Sequence, residues 1–438
     1  MKNLIILLLL AISVNISGQA KKLGLVESLQ IGMENNKDIK VAESVLRQSS
    51  AEIKEYGGYM LPKLSLSAAY SRLSEVDPFQ ITVPFSPTPI KVQDAILNNY
   101  NFRLSLQQPI FTGFKLSSLK ESALNKFNAN ETELINEKNK TALNIITAYY
   151  NYYKTIKILK IVEENSVKLK KHLDDTKSFV ENGLATKNDL LKIEVQYNNN
   201  ELLRINAANN AEIARTQFNK TLGIELNAKT EIDLLEPNTE EIKADYNNDL
   251  AVALKERLEL ISLNYKLQSA DNMVSAAKSS HFPSIYLNGN FYYNRPNSRE
   301  MPLKDEFKDT WDVSLSLSWD IWDWGVTSAK VEQSEEIKNQ LSTKFEQLKE
   351  NIEQEVYSNY LKVISEYNKI KVSRLMLSSS EENYRISKEK YNNQLLNSTE
   401  LLDAESNLLD SQISLTNSII DYELALTAYK KSLGKKLY

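Results

Sequence analysis

Two stretches of about 65 residues, roughly 114–178 and 326–390, contain no proline and keep a helical rhythm of apolar positions. In the first the stripe reads Ile145, Ala148, Tyr149, Tyr152, Ile156 and Leu159; in the second it reads Val356, Tyr360, Val363, Ile364 and Tyr367. Apolar residues three and four apart with solvated flanks give each helix one narrow adhesive face. At 1.5 Å per residue such a helix is ~97 Å long. It is too long to bury inside a globule and too polar to cross a bilayer. It needs helical partners of matching character, and the chain offers them at 187–222 and 398–433. With only 11 Gly and 10 Pro in 438 residues, few turns interrupt these elements.

The long helices belong to a duplication. FVENGLATKNDLL (179–191) aligns with KYNNQLLNSTELL (390–402), 211 positions later. At the same spacing FNKTLG (218–223) falls on YKKSLG (429–434), and LQQPIFTGF (106–114) on LSWDIWDWG (317–325). Upstream the spacing becomes 221, pairing MLPKLSL (60–66) with HFPSIYL (281–287). The extra residues fall in the Pro-containing loop 72–99, where a surface insertion is tolerated. Each copy has the order helix, strand, strand, long helix, helix. The expected segments are 21–60, 61–112 and 113–223 in the first copy, with its tip near 180–186. A connector at 224–247 leads to 248–281, 282–324 and 325–434 in the second copy, with its tip near 391–397.

The strands alternate. Trp311, Val313, Leu315, Leu317, Trp319 and Ile321 share one face, while Asp312, Ser314, Ser316, Ser318 and Asp320 share the other. Likewise Phe102, Leu104 and Leu106 oppose Asn101, Arg103, Ser105 and Gln107. Period-two alternation fits a half-buried soluble sheet or a membrane barrel with a polar lumen. The strand length of about ten residues suits a tilted span. Aromatics at the strand ends (Tyr70, Tyr100, Tyr292, Tyr293, Trp311, Trp319, Trp322, Trp324) suit interfacial girdles. No spare helix is left to cover a soluble sheet. Four strands cannot close alone, since the smallest barrels have about eight, so a barrel must be assembled from several chains.

Residues 1–20 read as a secretory signal peptide: a Lys, an apolar run from Leu4 to about Ile12, and small residues Ser17, Gly18 and Ala20 at the exit. The chain has no Cys, so neither disulfides nor an N-terminal lipid anchor on cysteine is expected. A formal net charge of −4 gives no basic footprint for nucleic acid.

In this order, and twice, the residues resemble the TolC-like outer membrane efflux proteins. The resemblance rests on ESLQIGMENNKDIKVAESVLRQSSAEIKEYGGYMLPKL and its second copy ALKERLELISLNYKLQSADNMVSAAKSSHFPSI, on the corners QQPIFTGF and SWDIWDWG, and on the tip GLATKNDLL. It implies a homotrimer with four strands per chain, a 12-stranded barrel in the outer membrane of a Gram-negative bacterium, and a helical tube across the periplasm. It further implies an exit duct for efflux or type I secretion, joined by a periplasmic adaptor to an inner-membrane pump.

At the tips, Thr186 with Asp189 and Asn397 with Glu400 stand at helix-capping spacing. The resemblance gives Glu400 and Asp403, one turn apart with Asn407, a second role as acidic rings of a closed gate. The alternative is a plain solvated helix face. Tyr391 matches a family Tyr that bonds to the neighbouring hairpin, with Asp189 as its partner. The basic residue expected near the turn is Leu396 here, and Gly183 of the first tip becomes Gln394. Gly183, Leu184, Thr186, Gln394, Leu395 and Leu396 are the expected adaptor contacts. No cofactor, metal or enzyme motif appears, and His172 and His281 read as structural or solvated. The competing reading is a periplasmic coiled-coil scaffold or adaptor with a soluble sheet.

Overall fold

The computed structural model describes residues 22–438 except 94 and 238. The leader expected at 1–20 lies outside these residues. The helices are α1 (Leu25–Asn35), α2 (Lys37–Tyr59), α3 (Lys115–Glu181), α4 (Lys187–Leu222), α5 (Tyr246–Glu256), α6 (Leu258–Lys278), α7 (Val326–Asn392) and α8 (Ser398–Ser432). The strands are β1 (Lys63–Arg72), β2 (Phe79–Ile81), β3 (Ile90–Gln93), β4 (Asn98–Thr112), β5 (Ser284–Arg295) and β6 (Lys308–Ser318).

The duplication is repeated in the backbone. Both long helices have 67 residues and start 211 positions apart. Each strand-to-helix corner has two consecutive left-handed residues, Gly113 and Phe114 in one copy and Trp324 and Gly325 in the other. The following helix is capped from the equivalent position each time. Thr112 Oγ1 accepts from the Leu116 amide, and Asp323 Oδ2 accepts from that of Thr327.

Both first helices are broken at the same place. The first helix expected within 21–60 is interrupted at Asn36, and the one expected within 248–281 begins at Tyr246 and is interrupted at Arg257. Both residues are extended, with ψ of 128° and 118°. Each break pairs with a distant cap, and at Asn36 a local cap also restarts the helix. Asn36 Oδ1 accepts from the Ile39 amide at 2.9 Å and restarts the helix. Asn35 Nδ2 and Arg257 Nη1 then cap the ends of α4 and α8, donating to Leu222 O and Ser432 O, each at 3.1 Å.

The chain divides into two compact units, each described by itself. One comprises the stretch up to Lys40, Asn136–Arg257 and Asn351–Tyr438. Its largest core packs Ile145, Tyr149, Tyr152, Phe218, Leu222 and Ile420 together with Ile232 of the connector. The connector is thus a packed element. Leu23 pairs with Ile232, the Tyr149 and Tyr152 hydroxyls donate to Asp233 O and Thr230 O, and the Tyr422 hydroxyl donates to Glu240 O.

The other unit comprises Val41–Ile135 and Leu258–Glu350. It holds a four-stranded antiparallel sheet in the order β1-β4-β5-β6. A bulge between Pro109 and Phe111 lets a residue without an N–H sit inside β4. The 72–99 loop carries a small hairpin of its own, β2 against β3. The last strand ends at Ser318, short of the expected Ile321, and the aromatic run to Trp324 forms the corner.

Candidate gate and membrane-facing sheet

The first tip is a closed cap. Thr186 Oγ1 accepts from the Asp189 amide at 3.2 Å, while Asp189 Oδ2 accepts from the Thr186 amide at 3.1 Å and its hydroxyl at 2.6 Å. The Thr186 hydroxyl holds the Asp189 carboxyl below its usual range. At the second tip Asn397 Oδ1 accepts from the Glu400 amide at 2.9 Å, and its Nδ2 donates to Glu400 Oε1 at 2.8 Å. Gly183 and Gln394 occupy the same turn position with φ of 74° and 62°. Leu184 and Leu395 are exposed beside them, and Leu396 is half-buried.

Glu400, Asp403 and Asn407 line an exposed stripe of α8, whereas Leu401, Leu402, Ala404, Glu405 and Leu408 turn inward. Asp403 also borders a groove of about 450 Å³ between α4 and α8, where Lys192 Nζ donates to Thr399 Oγ1 at 3.1 Å.

Tyr391 is buried, and its hydroxyl lies 2.8 Å from Thr176 Oγ1. Burial raises its pKa, hydrogen bonds with Thr176 and Ser398 pull it back, and the nearby charges of Asp175 and Asp189 add to the rise. Tyr391 and Asp189 therefore each find their hydrogen-bond partners elsewhere in this chain, Tyr391 on Thr176 and Asp189 on Thr186. Against the Tyr391 ring, 4.9 Å centroid to centroid, lies His172. Its Nδ1 is 3.1 Å from Glu405 Oε2 and its Nε2 is 3.1 Å from Ser398 Oγ. The His172 and Glu405 side chains are only 3% and 4% exposed. Sequence reasoning passed over Glu405, although an acid in the same helical row as Leu401 and Leu408 was the signal available.

The sheet has a different character. Every residue of β1 is exposed, so neither of its faces is covered within the chain. Leu66 is 73% exposed, and Trp311, Val313, Leu315 and Leu317 are exposed on β6. Among the described residues, the outer edges of β1 and β6 carry no strand. At the loop end of this apolar face Tyr70 and Tyr100 lie 5.0 Å apart, and Tyr293 stacks on Phe307 at 5.0 Å. At the helix end Trp319 donates to His281 O, and Trp322 meets Trp324 edge to face at 5.8 Å. From Phe307 to Trp319 the strand covers about 40 Å, or about 30 Å along an axis to which it tilts by ~40°.

A sheet apolar on one face and polar on the other, exposed along the whole of β1 and joined to 67-residue helices, fits a channel that spans an outer membrane by strands. Comparison with known proteins agrees. The model of the Outer membrane efflux protein family matches the chain twice, at residues 29–224 and 250–435, and the chain belongs to that family. It is similar to the probable efflux pump outer membrane protein TtgC of Pseudomonas putida, 21% identical over 94% of this chain and 83% of the relative. It is also similar to outer membrane protein TolC of Escherichia coli, 22% identical over 67% of this chain and 61% of that one. Among solved structures, the CmeC outer membrane channel of Campylobacter jejuni superposes with a TM-score of 0.79 at 18% identity, covering 94% of this chain and 85% of that one. The open state of Neisseria gonorrhoeae MtrE gives 0.76 at 17%, covering 94% and 89%. The protein is an outer membrane efflux channel protein of Gram-negative type, not an enzyme. The scaffold reading gives way to it.

Proposed function

We propose that three copies close their sheets into one 12-stranded barrel and that the assembly is the exit duct of a tripartite efflux or type I secretion system. The observation that carries this is the four-stranded sheet, apolar on one exposed face, polar on the other, and open at both edges. β1 and β6 are antiparallel to their inner neighbours in an even-stranded sheet, so β6 of one copy can meet β1 of the next antiparallel. Closure removes the open edges, which lipid cannot satisfy. Tyr70, Tyr100 and Trp311 then belong to one interfacial belt, and Trp319, Trp322 and Trp324 to the other.

Glu400 and Asp403 serve as the gate. Threefold repetition brings six carboxylates near one axis, a ring that favours cations. Tyr391 and Asp189 make the closed-state tip contact, with Thr176 holding the Tyr391 hydroxyl within its own chain. A periplasmic adaptor, itself bound to an inner-membrane pump, opens the tips by engaging Gly183, Leu184, Thr186, Gln394, Leu395 and Leu396. Single-channel recording in planar bilayers tests the reading. Wild type should conduct little and prefer cations, and Glu400→Ala/Asp403→Ala should conduct several-fold more. A pore indifferent to the double change returns both acids to helix capping and solvation. Membrane-inserted protein that never conducts overturns the channel.

A further inference from the structure

The polar face of the sheet is not electrically neutral. Its register places four residues side by side in each row. Lys63, Gln107, Asn288 and Ser314 form one; Ser65, Ser105, Asn290 and Asp312 the next. Above them come Ser67, Arg103, Tyr292 and Thr310, then Ala69, Asn101, Asn294 and Lys308. Three cations thus share this face with one carboxylate, over about 20 Å of strand.

The β5–β6 loop adds a fourth cation by folding onto the same face. Asn297, 2% exposed, donates to Lys308 O at 3.0 Å and to Thr310 Oγ1 at 3.3 Å. This fixes Arg299, whose Nη1 donates to Trp311 O at 2.9 Å and whose Nη2 lies 3.3 Å from Asp312 Oδ2. The Tyr292 ring sits between two guanidinium groups, Arg103 at 5.6 Å and Arg299 at 6.0 Å. Arg103 Nε and Nη2 both donate to Asn290 Oδ1, while Asn290 Nδ2 donates to Asp312 Oδ1.

The charges do not cancel. One carboxylate, Asp312, is shared between Arg299 and, through Asn290, Arg103, and Lys63 and Lys308 stand outside that chain. Elsewhere in the loop Asp305 is taken up by Arg295, and Lys304 lies between Glu300 and Glu306. Counting that one unbalanced loop carboxylate and Asp320, which follows β6 on the same alternation, still leaves an excess of one positive charge per chain.

We propose that this face forms a basic collar in the barrel lumen that concentrates anions, so that the duct's last segment favours anionic solutes. This rests on the channel reading, in which the polar face lines the lumen. Fixed charge of one sign in a narrow aqueous passage with apolar walls focuses the field and enriches the opposite ion. Salt at 0.1 M screens over about 10 Å, so the collar acts most strongly at low ionic strength.

The test is the reversal potential under a KCl gradient, measured in the Glu400→Ala/Asp403→Ala background so that the gate does not set selectivity. The expected chloride-over-potassium permeability ratio exceeds one. It should fall at least about two-fold in Lys63→Ser/Arg103→Gln/Lys308→Ser, and the difference should shrink as salt rises. Arg103→Lys, which keeps the charge, should behave as its parent. Arg72→Gln, on the opposite face where Arg72 donates to Asn98 Oδ1, should also leave the ratio alone. An unchanged ratio in the triple variant overturns the collar while leaving the channel standing, as does an equal shift with Arg72→Gln. Absence of conductance from inserted protein overturns the channel and the collar together.

Discussion

Replacing His172 by Leu removes the hydrogen-bond partner of the buried Glu405 side chain. Glu405 is 4% exposed, and the imidazole 3.1 Å away is its hydrogen-bond donor. Breaking a buried pair by deleting one member costs roughly 3–5 kcal/mol, because a desolvated charge is left alone. An adjoining cavity of about 160 Å³, lined also by Lys168, Lys171, Asp175 and Lys388, lets water and a lysine approach the orphaned group. That brings the cost below the dry-pair range, to about 2–3 kcal/mol, the cost of an unsatisfied polar group rather than of a dry charge. The joint links α3 to α8 through Glu405 and Ser398, so the loss should appear as local opening of the tip. Amide hydrogen exchange should quicken about 30- to 150-fold around 172–180 and 398–408, while β4 and β5 stay protected. His172→Leu/Glu405→Leu removes both partners and should recover most of that protection. The reasoning is refuted if His172→Leu exchanges like wild type. It is refuted equally if the double variant is as labile as the single, since the cost would then come from packing rather than from a stranded carboxylate.

Other changes follow from single contacts. Gln394 holds a left-handed conformation that costs an L residue about 1–2 kcal/mol, so Gln394→Gly should stabilise the second tip by a net of about 0.5 kcal/mol after the extra freedom of unfolded glycine is counted. Hydrogen exchange at 390–400 checks it. The Asp189 carboxyl is held below its usual range by Thr186, so the stability of its cap is full above the unfolded carboxyl pKa and lost as pH falls through the folded value. Thr186→Ala should cost about 1 kcal/mol at neutral pH and abolish that acid-side step, read from tip protection between about pH 5 and pH 2. Burial raises Glu423, with Lys430 opposing, so the stability tied to its proton is full below the unfolded carboxyl pKa and declines as pH rises through the folded value. Glu423→Gln should therefore raise the melting temperature near neutrality and flatten its fall with pH.

Periodicity made the long helices, the four-stranded sheet and the duplication legible, because each repeats a geometric spacing that the folded chain must satisfy. The Thr186 and Asn397 caps were legible for the same reason, lying three residues from the groups they bind. What escaped depends on contacts far apart in sequence. The break at Asn36 follows from Asn35 capping Leu222, 187 residues away, and Glu405 meets His172 across 233. The inward fold of the β5–β6 loop depends on Asn297 and Arg299 finding Thr310 and Asp312, polar residues that look unremarkable in a strand.

The two corners join these levels of the argument. The first turns β4 into a 67-residue helix within two residues and the second leads from β6 into its own over residues 319–325, and each uses two successive left-handed conformations. An L side chain in that region is strained, so one position goes to glycine. The first copy puts Gly113 before Phe114, and the second puts Trp324 before Gly325. The backbone is preserved while the aromatic changes places. Phe114 packs edge to face on Phe111 and Phe282 within its own chain, whereas Trp324 is 86% exposed, touching Trp322. Both corner aromatics are exposed, 64% for Phe114 and 86% for Trp324, but Phe114 is held by two rings and Trp324 by one, which leaves Trp324 the more outward of the two. Exchanging the order, as Trp324→Gly/Gly325→Trp, keeps one glycine in the turn and should preserve the fold while lowering detergent resistance of the assembled protein. If the exchange leaves assembly untouched, the outward aromatic has no role in it.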